Sequence, residues 1–72
     1  MEEYSRILIE EYCWSYNSAK SKRLVKLVEM SYDMFAEISD SDAIFLEKVI
    51  ESEKNPELKN ALKDLDQFLC GY

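Results

Sequence analysis

Histidine is absent from this chain, and glycine, proline and cysteine are nearly so, with one Gly, one Pro and two Cys in 72 residues. Without imidazole or clustered thiolates, the usual ligands of zinc and related metals are missing, so no metal site is expected. Absence of His also removes the commonest general base. No nucleophile stands beside another obvious base, and the chain is expected not to be an enzyme and to carry no cofactor. The longest apolar run, Ala43-Ile44-Phe45-Leu46, is far too short to cross a bilayer. Met1-Glu2-Glu3-Tyr4 lacks the basic start of a secretory signal. A cytoplasmic protein follows, with Cys13 and Cys70 reduced; a Cys13–Cys70 disulfide would tie its first helix to its last.

Basic residues are also short in number, nine against fifteen acidic ones, for a net charge of -6. Such a surface repels nucleic acid and anionic lipid and favours basic partners, although solubility alone is the commoner reason for acidity. A chain of this length forms one domain, residues 1–72, and buries only about 60% of its unfolded surface. Small folds of that kind draw extra stability from disulfides, metals or oligomerisation, which makes a homodimer the natural expectation here.

The clearest local signal is Asn55-Pro56-Glu57 before Leu58, Ala61, Leu62, Leu65, Phe68 and Leu69. Asn caps a helix, Pro suits its first turn, and Glu57 complements the helix dipole. The apolar spacing places one buried stripe on a helix over about 56–70, with Gly71 positioned as its C-cap. Ser39 and Asp42 have capping-box spacing, with Asp in place of Glu, and open a helix running to about Lys54. Phe45, Leu46, Val49 and Ile50 share its apolar face, with Ile44 off that stripe.

Residues 21–38 read as the longest helix and a central one, half apolar through Leu24, Val25, Leu27, Val28, Met34, Phe35 and Ile38. Lys22, Lys26, Glu29, Asp33 and Glu37 form the polar stripe opposite. Residues 3–16 are harder, because Tyr12, Trp14 and Tyr16 alternate as in a strand. A lone strand has nothing to pair with, and the flanking Glu residues favour helix. Capping types place a break at Asn17-Ser18, while one continuous helix over 3–38 stays open because no Gly or Pro intervenes. The fold class is therefore all-α, a compact bundle of three to four short helices.

On a helical wheel the first helix has two apolar sides, Ile9, Tyr12 and Tyr16 on one and Ile7 and Trp14 on nearly the other. With so small a core, a second apolar side points to a partner or to self-association. Tyr4, Ile7, Glu11 and Trp14 are the candidate contacts there. Lys20, Lys22, Arg23 and Lys26 hold four of the nine basic residues within seven positions. They read either as a docking patch, for which Lys22, Arg23 and Lys26 are the candidates, or as a solvated helix face paired with nearby acids.

Other chemistry fits poorly. Asp40, Asp42 and Glu51 match positions 1, 3 and 12 of a calcium loop, but Ile44 and Phe45 replace the required oxygen ligand and Gly. Asp40-Ser41 is similar to the phosphopantetheine site of carrier proteins, yet the preceding Gly is absent and Asp42 stands where Leu belongs. A helix-turn-helix reader is disfavoured because the helix after Ser39 carries Glu47, Glu51 and Glu53. The expected function is a small acidic interaction module that binds and modulates, most simply inhibits, a cytosolic protein. The first alternative is a phage-type nucleic-acid mimic of the anti-CRISPR or anti-restriction class, and the second is a purely structural homo-oligomer. Bacteriocin immunity proteins and antitoxins share the small acidic helical class, without a residue-level match.

Overall fold

Three side-chain caps punctuate the described residues. Ser18, Ser39 and Asn55 each accept a backbone N–H from the turn that follows, from Ser21, Asp42 and Glu57 respectively. In the computed structural model, which describes residues 1–33 and 37–70, these caps separate four helices. They are α1 Glu3–Ser15, α2 Ala19–Met30, α3 Asp40–Ser52 and α4 Pro56–Cys70. The Cα radius of gyration is 11.0 Å, against about 11 Å for a compact chain of this length.

The strand-like alternation of α1 yields to tertiary packing. Ser5, Ile9 and Cys13 recur every four residues and are buried on one side of a regular helix. Its N-terminus lacks a side-chain cap; instead the Glu2 N–H donates across to Asp64 Oδ2 on α4, 2.9 Å away. At the other end Tyr16 is extended, and Ser18 starts α2, so residues 3–38 are not one continuous helix. Ser18 Oγ also bonds Ser21 Oγ at 3.1 Å, so the cap holds a nearly fully buried hydroxyl.

α2 is shorter than its periodicity suggests and ends at Met30, not Ile38. The N–H groups of Ser31, Tyr32 and Asp33 bond back only three residues, to Val28, Glu29 and Met30, which tightens the chain out of the α-helix. The Ser31 hydroxyl donates to the Val28 carbonyl and reinforces that turn. Glu37 and Ile38 lie outside any helix, though Ile38 still packs against the core. Met34 and Phe35, like the Gly71 C-cap, fall outside the described residues.

Packing runs in the spatial order α2, α1, α4, α3, with α1 against both α2 and α4, and α4 against α3. The two inner helices are therefore α1 and α4, and the longest is α4, rather than the segment 21–38. Ile9, Leu24, Leu46 and Leu65, one from each helix, are 0% exposed. Two stripes shift at their edges. Phe45 is only partly buried, and Phe68 is 41% exposed because it sits about 80° from the centre of the α4 stripe.

Candidate interaction surface

Once Ile9 and Cys13 fix the inner side of α1, the opposite side is set by helix geometry. Tyr4, Ile7, Glu11 and Trp14 fall within about 80° of arc, and all four are exposed. Trp14 is 76% exposed and Tyr4 61%. Of seven large apolar side chains left at the surface among the described residues, Tyr4, Ile7, Trp14 and Tyr16 belong to α1 or its C-cap. Burial of one face and exposure of the other thus coincide with the two apolar sides of the wheel. Tyr16 departs from it: its backbone leaves the helix, and its ring rests 4.9 Å from that of Tyr12 while remaining exposed.

A furrow lies between α1 and α4. Ser5 and Ala61, both small and buried, stand in its lining. One half also takes in Tyr4 and Leu8, and the other half Leu8, Tyr12 and Leu58. The halves meet at Leu8 and Glu57. Four carboxylates edge this furrow, Glu2 and Asp64 at one end, Glu57 at the middle and Glu11 on the α1 side. The Tyr4 hydroxyl donates to Glu57 Oε2 at 3.3 Å. The Glu57 charge, with burial, that hydrogen bond and the Glu11 charge, pushes the Tyr4 pKa above its ordinary value.

The basic cluster of α2 divides. Arg23 is a strut between α2 and α3: Nε donates to Asp42 Oδ1 at 3.0 Å, and Nη2 to Ser41 Oγ at 3.0 Å. Its guanidinium also lies 4.3 Å from the Phe45 ring centroid. Lys20 stands over the Tyr12 ring at 5.3 Å. Lys22 and Lys26 stay exposed on the outer side of α2. The structure therefore does not gather the seven candidate residues into one patch. Tyr4, Ile7, Glu11 and Trp14 form one face, Lys22 and Lys26 belong to another helix, and Arg23 is engaged within the fold.

A second strut was not evident from spacing. Arg6 Nη1 donates to the Tyr32 hydroxyl at 2.6 Å and Nη2 to Glu3 Oε1 at 3.2 Å, while Tyr32 donates to Glu10 at 3.3 Å. These bonds fasten the turn after α2 onto α1 and raise the Arg6 pKa, chiefly through the Tyr32 hydrogen bond.

Both cysteines are free thiols. Burial pushes the Cys13 thiol up, helped by the Glu10 charge and opposed by Lys20, a neighbouring cation that linear sequence does not place there. Cys70 is raised by burial and by its 3.3 Å bond to Asp66. Neither shift favours a reactive thiolate. Among the described residues, no group of three or more Cys, Asp and Glu is placed to hold a metal ion. No helix there is long and apolar enough to cross a membrane. Comparison with protein-family models, with curated proteins and with solved structures gives no match for this chain.

Proposed function

We propose that this chain is a small acidic, non-catalytic interaction module that binds a cytoplasmic protein through the outward face of α1 and inhibits it. The observation that supports this reading is Trp14, 76% exposed on a helix whose opposite side is sealed into the core. Trp is enriched among the residues that carry most of a protein interface's binding energy, and an exposed ring with Ile7 two turns away on the same face offers such an anchor. Glu11 and its neighbour Glu10 surround the anchor with negative charge and turn away acidic competitors.

Capture of partners from host lysate, followed by mass spectrometry, tests the proposal. Trp14→Ala should lower affinity for a stoichiometric partner by about thirtyfold, the equivalent of about 2 kcal/mol. Recovery of the same partner in equal yield by Trp14→Ala would overturn it. A homodimer through the same face is the second reading, supported by the apolar pair Ile7 and Trp14 standing in solvent. Sedimentation across concentration separates the two, since only the dimer reading requires mass to rise in the isolated protein.

A further inference from the structure

The furrow between α1 and α4 adjoins the outward face of α1 and shares Tyr4 and Glu11 with it, and its chemistry is one-sided. Glu2, Glu11, Glu57 and Asp64 edge it, and among the described residues no Lys or Arg lines it. The ion pairs Arg6–Glu3 and Arg23–Asp42 lie elsewhere. None of the four carboxylates is paired with a cation among the described residues. Glu57 and Asp64 each accept one hydrogen bond, from the Tyr4 hydroxyl and the Glu2 N–H, which satisfies a lone pair and leaves the charge. Lys20, close to the Tyr12 end of the furrow, is held over the Tyr12 ring.

Between those carboxylates the lining offers apolar and aromatic surface from Leu8, Leu58 and the rings of Tyr4 and Tyr12, beside the neutral polar groups of Ser5, Ser15, Asn55 and Asn60. Carboxylate edges beside apolar and aromatic surface match one kind of side chain well. Lys and Arg lay their methylene stems on apolar surface while their charged heads reach outward, and they also favour aromatic faces. The furrow follows α1 from Glu2 to Tyr16, which is about 20 Å at the rise of an α-helix. That length accommodates about six residues of extended chain.

We infer that the α1/α4 furrow binds a Lys- or Arg-rich polypeptide segment of the partner, its basic heads paired with Glu2, Glu11, Glu57 and Asp64 and its stems on Leu8 and the tyrosines. This rests on the reading of the chain as an interaction module and specifies the charge of the partner. A second copy is a weaker occupant. Its exposed lysines among the described residues, Lys22, Lys26, Lys48, Lys54 and Lys63, all stand outside the furrow lining, so such pairing joins two different patches head-to-tail and does not close into a simple dimer.

The test is fluorescence anisotropy with a labelled Lys-Leu-Lys-Ala repeat peptide, beside its Glu-Leu-Glu-Ala counterpart, spermine and duplex DNA. The basic peptide should bind, and the Glu57→Lys, Asp64→Lys double variant should bind it at least about tenfold more weakly, with further loss at about 0.3 M salt. Glu47→Lys on α3, made singly and beside a single Glu57→Lys, applies the same change in net charge away from the furrow. It should leave affinity within about twofold. Circular dichroism on each variant establishes that the helices persist. Equal weakening by Glu47→Lys overturns the proposal in favour of net charge alone. Equal binding of spermine at the same sites overturns the polypeptide requirement, and concentration-dependent self-association abolished by Glu57→Lys makes the occupant a second copy. If the basic peptide fails to bind while Trp14→Ala still releases a captured partner, the furrow proposal falls and the interaction module stands.

Discussion

Arg23 offers the sharpest contrast between a docking role and a structural one. The guanidinium stacks on Phe45 at 4.3 Å, an arrangement worth about 0.5–1 kcal/mol at a partly exposed site. Its ion pair with Asp42 is 2.9 Å long, but the two side chains are 39% and 30% exposed. Solvent therefore screens the pair, which adds at most about 1 kcal/mol. Replacing Arg23 by Ala should cost about 1–2 kcal/mol in urea unfolding and lower Tm by roughly 5–12 °C for a domain this small. Asp42→Ala also loses a carboxylate from the first turn of α3, worth about 0.3–1 kcal/mol through the helix dipole. A double-mutant cycle removes that contribution and should leave a coupling of about 0.5 kcal/mol or more, shrinking at about 1 M salt. A loss below about 0.3 kcal/mol for Arg23→Ala, with no coupling to Asp42, would refute the strut and return Arg23 to the docking patch.

The two sides of α1 should separate in the same unfolding assay. Ile9→Ala, at 0% exposure, should cost about 2–5 kcal/mol, whereas Ile7→Ala, at 41%, should stay within about 1 kcal/mol. Similar losses at both positions would contradict the observed burial. Asn55→Ala removes the acceptor for the N–H groups of Glu57 and Leu58 and should cost about 1 kcal/mol, with Asn55→Gly losing only a few tenths. Equal losses for Ala and Gly would argue against the cap. Stability should also decline in alkali. The Tyr4, Cys13 and Cys70 pKa values are raised above 10.0, 9.0 and 9.0, so the native state holds these protons more tightly than the unfolded chain. Their contribution is complete below about pH 9 and is lost as pH climbs from there through the native values. Urea midpoints of the unaltered protein that stay flat or rise across that range, or that fall just as far in a variant carrying Cys13→Ala, Cys70→Ala and Tyr4→Phe, would refute it.

The starts of α3 and α4 and the break before α2 were legible because capping is local chemistry, written in the two or three residues around Ser18, Ser39 and Asn55, although α2 begins at Ala19 and not at residue 21. The end of α2 was not. Val25, Met34 and Ile38 continue a helical period, and periodicity carries no information about the back-bonds that turn the chain at Ser31 and Tyr32. Arg23 and Tyr32 illustrate the same limit at the site level. Each is committed to a partner 18 to 26 positions away, which spacing along one helix cannot expose. The furrow was invisible for the same reason, since Tyr4 meets Glu57 and Glu2 meets Asp64 only after folding, 53 and 62 positions apart. The outward face of α1, by contrast, depends on one helix alone, and its apolar pair Ile7 and Trp14 could be read from the wheel.

α1 combines two demands that small domains usually assign to different elements. It is one of the two inner packing helices, held by α2 and α4, by the Glu2–Asp64 bond and by the Arg6–Tyr32 latch. It also presents Trp14 to solvent and supplies one wall of the acidic furrow. Side chains mounted on so constrained a helix lose little backbone freedom when they bind, so more of their contact energy is available as affinity. A partner engaging both surfaces would meet an apolar anchor and a row of carboxylates held in a fixed relation by a single rigid rod. Specificity then depends on geometry, because a basic segment without a pocket for Trp14 gains only the salt-sensitive part of the interaction. A hydrophobic pocket without Lys or Arg gains only the anchor.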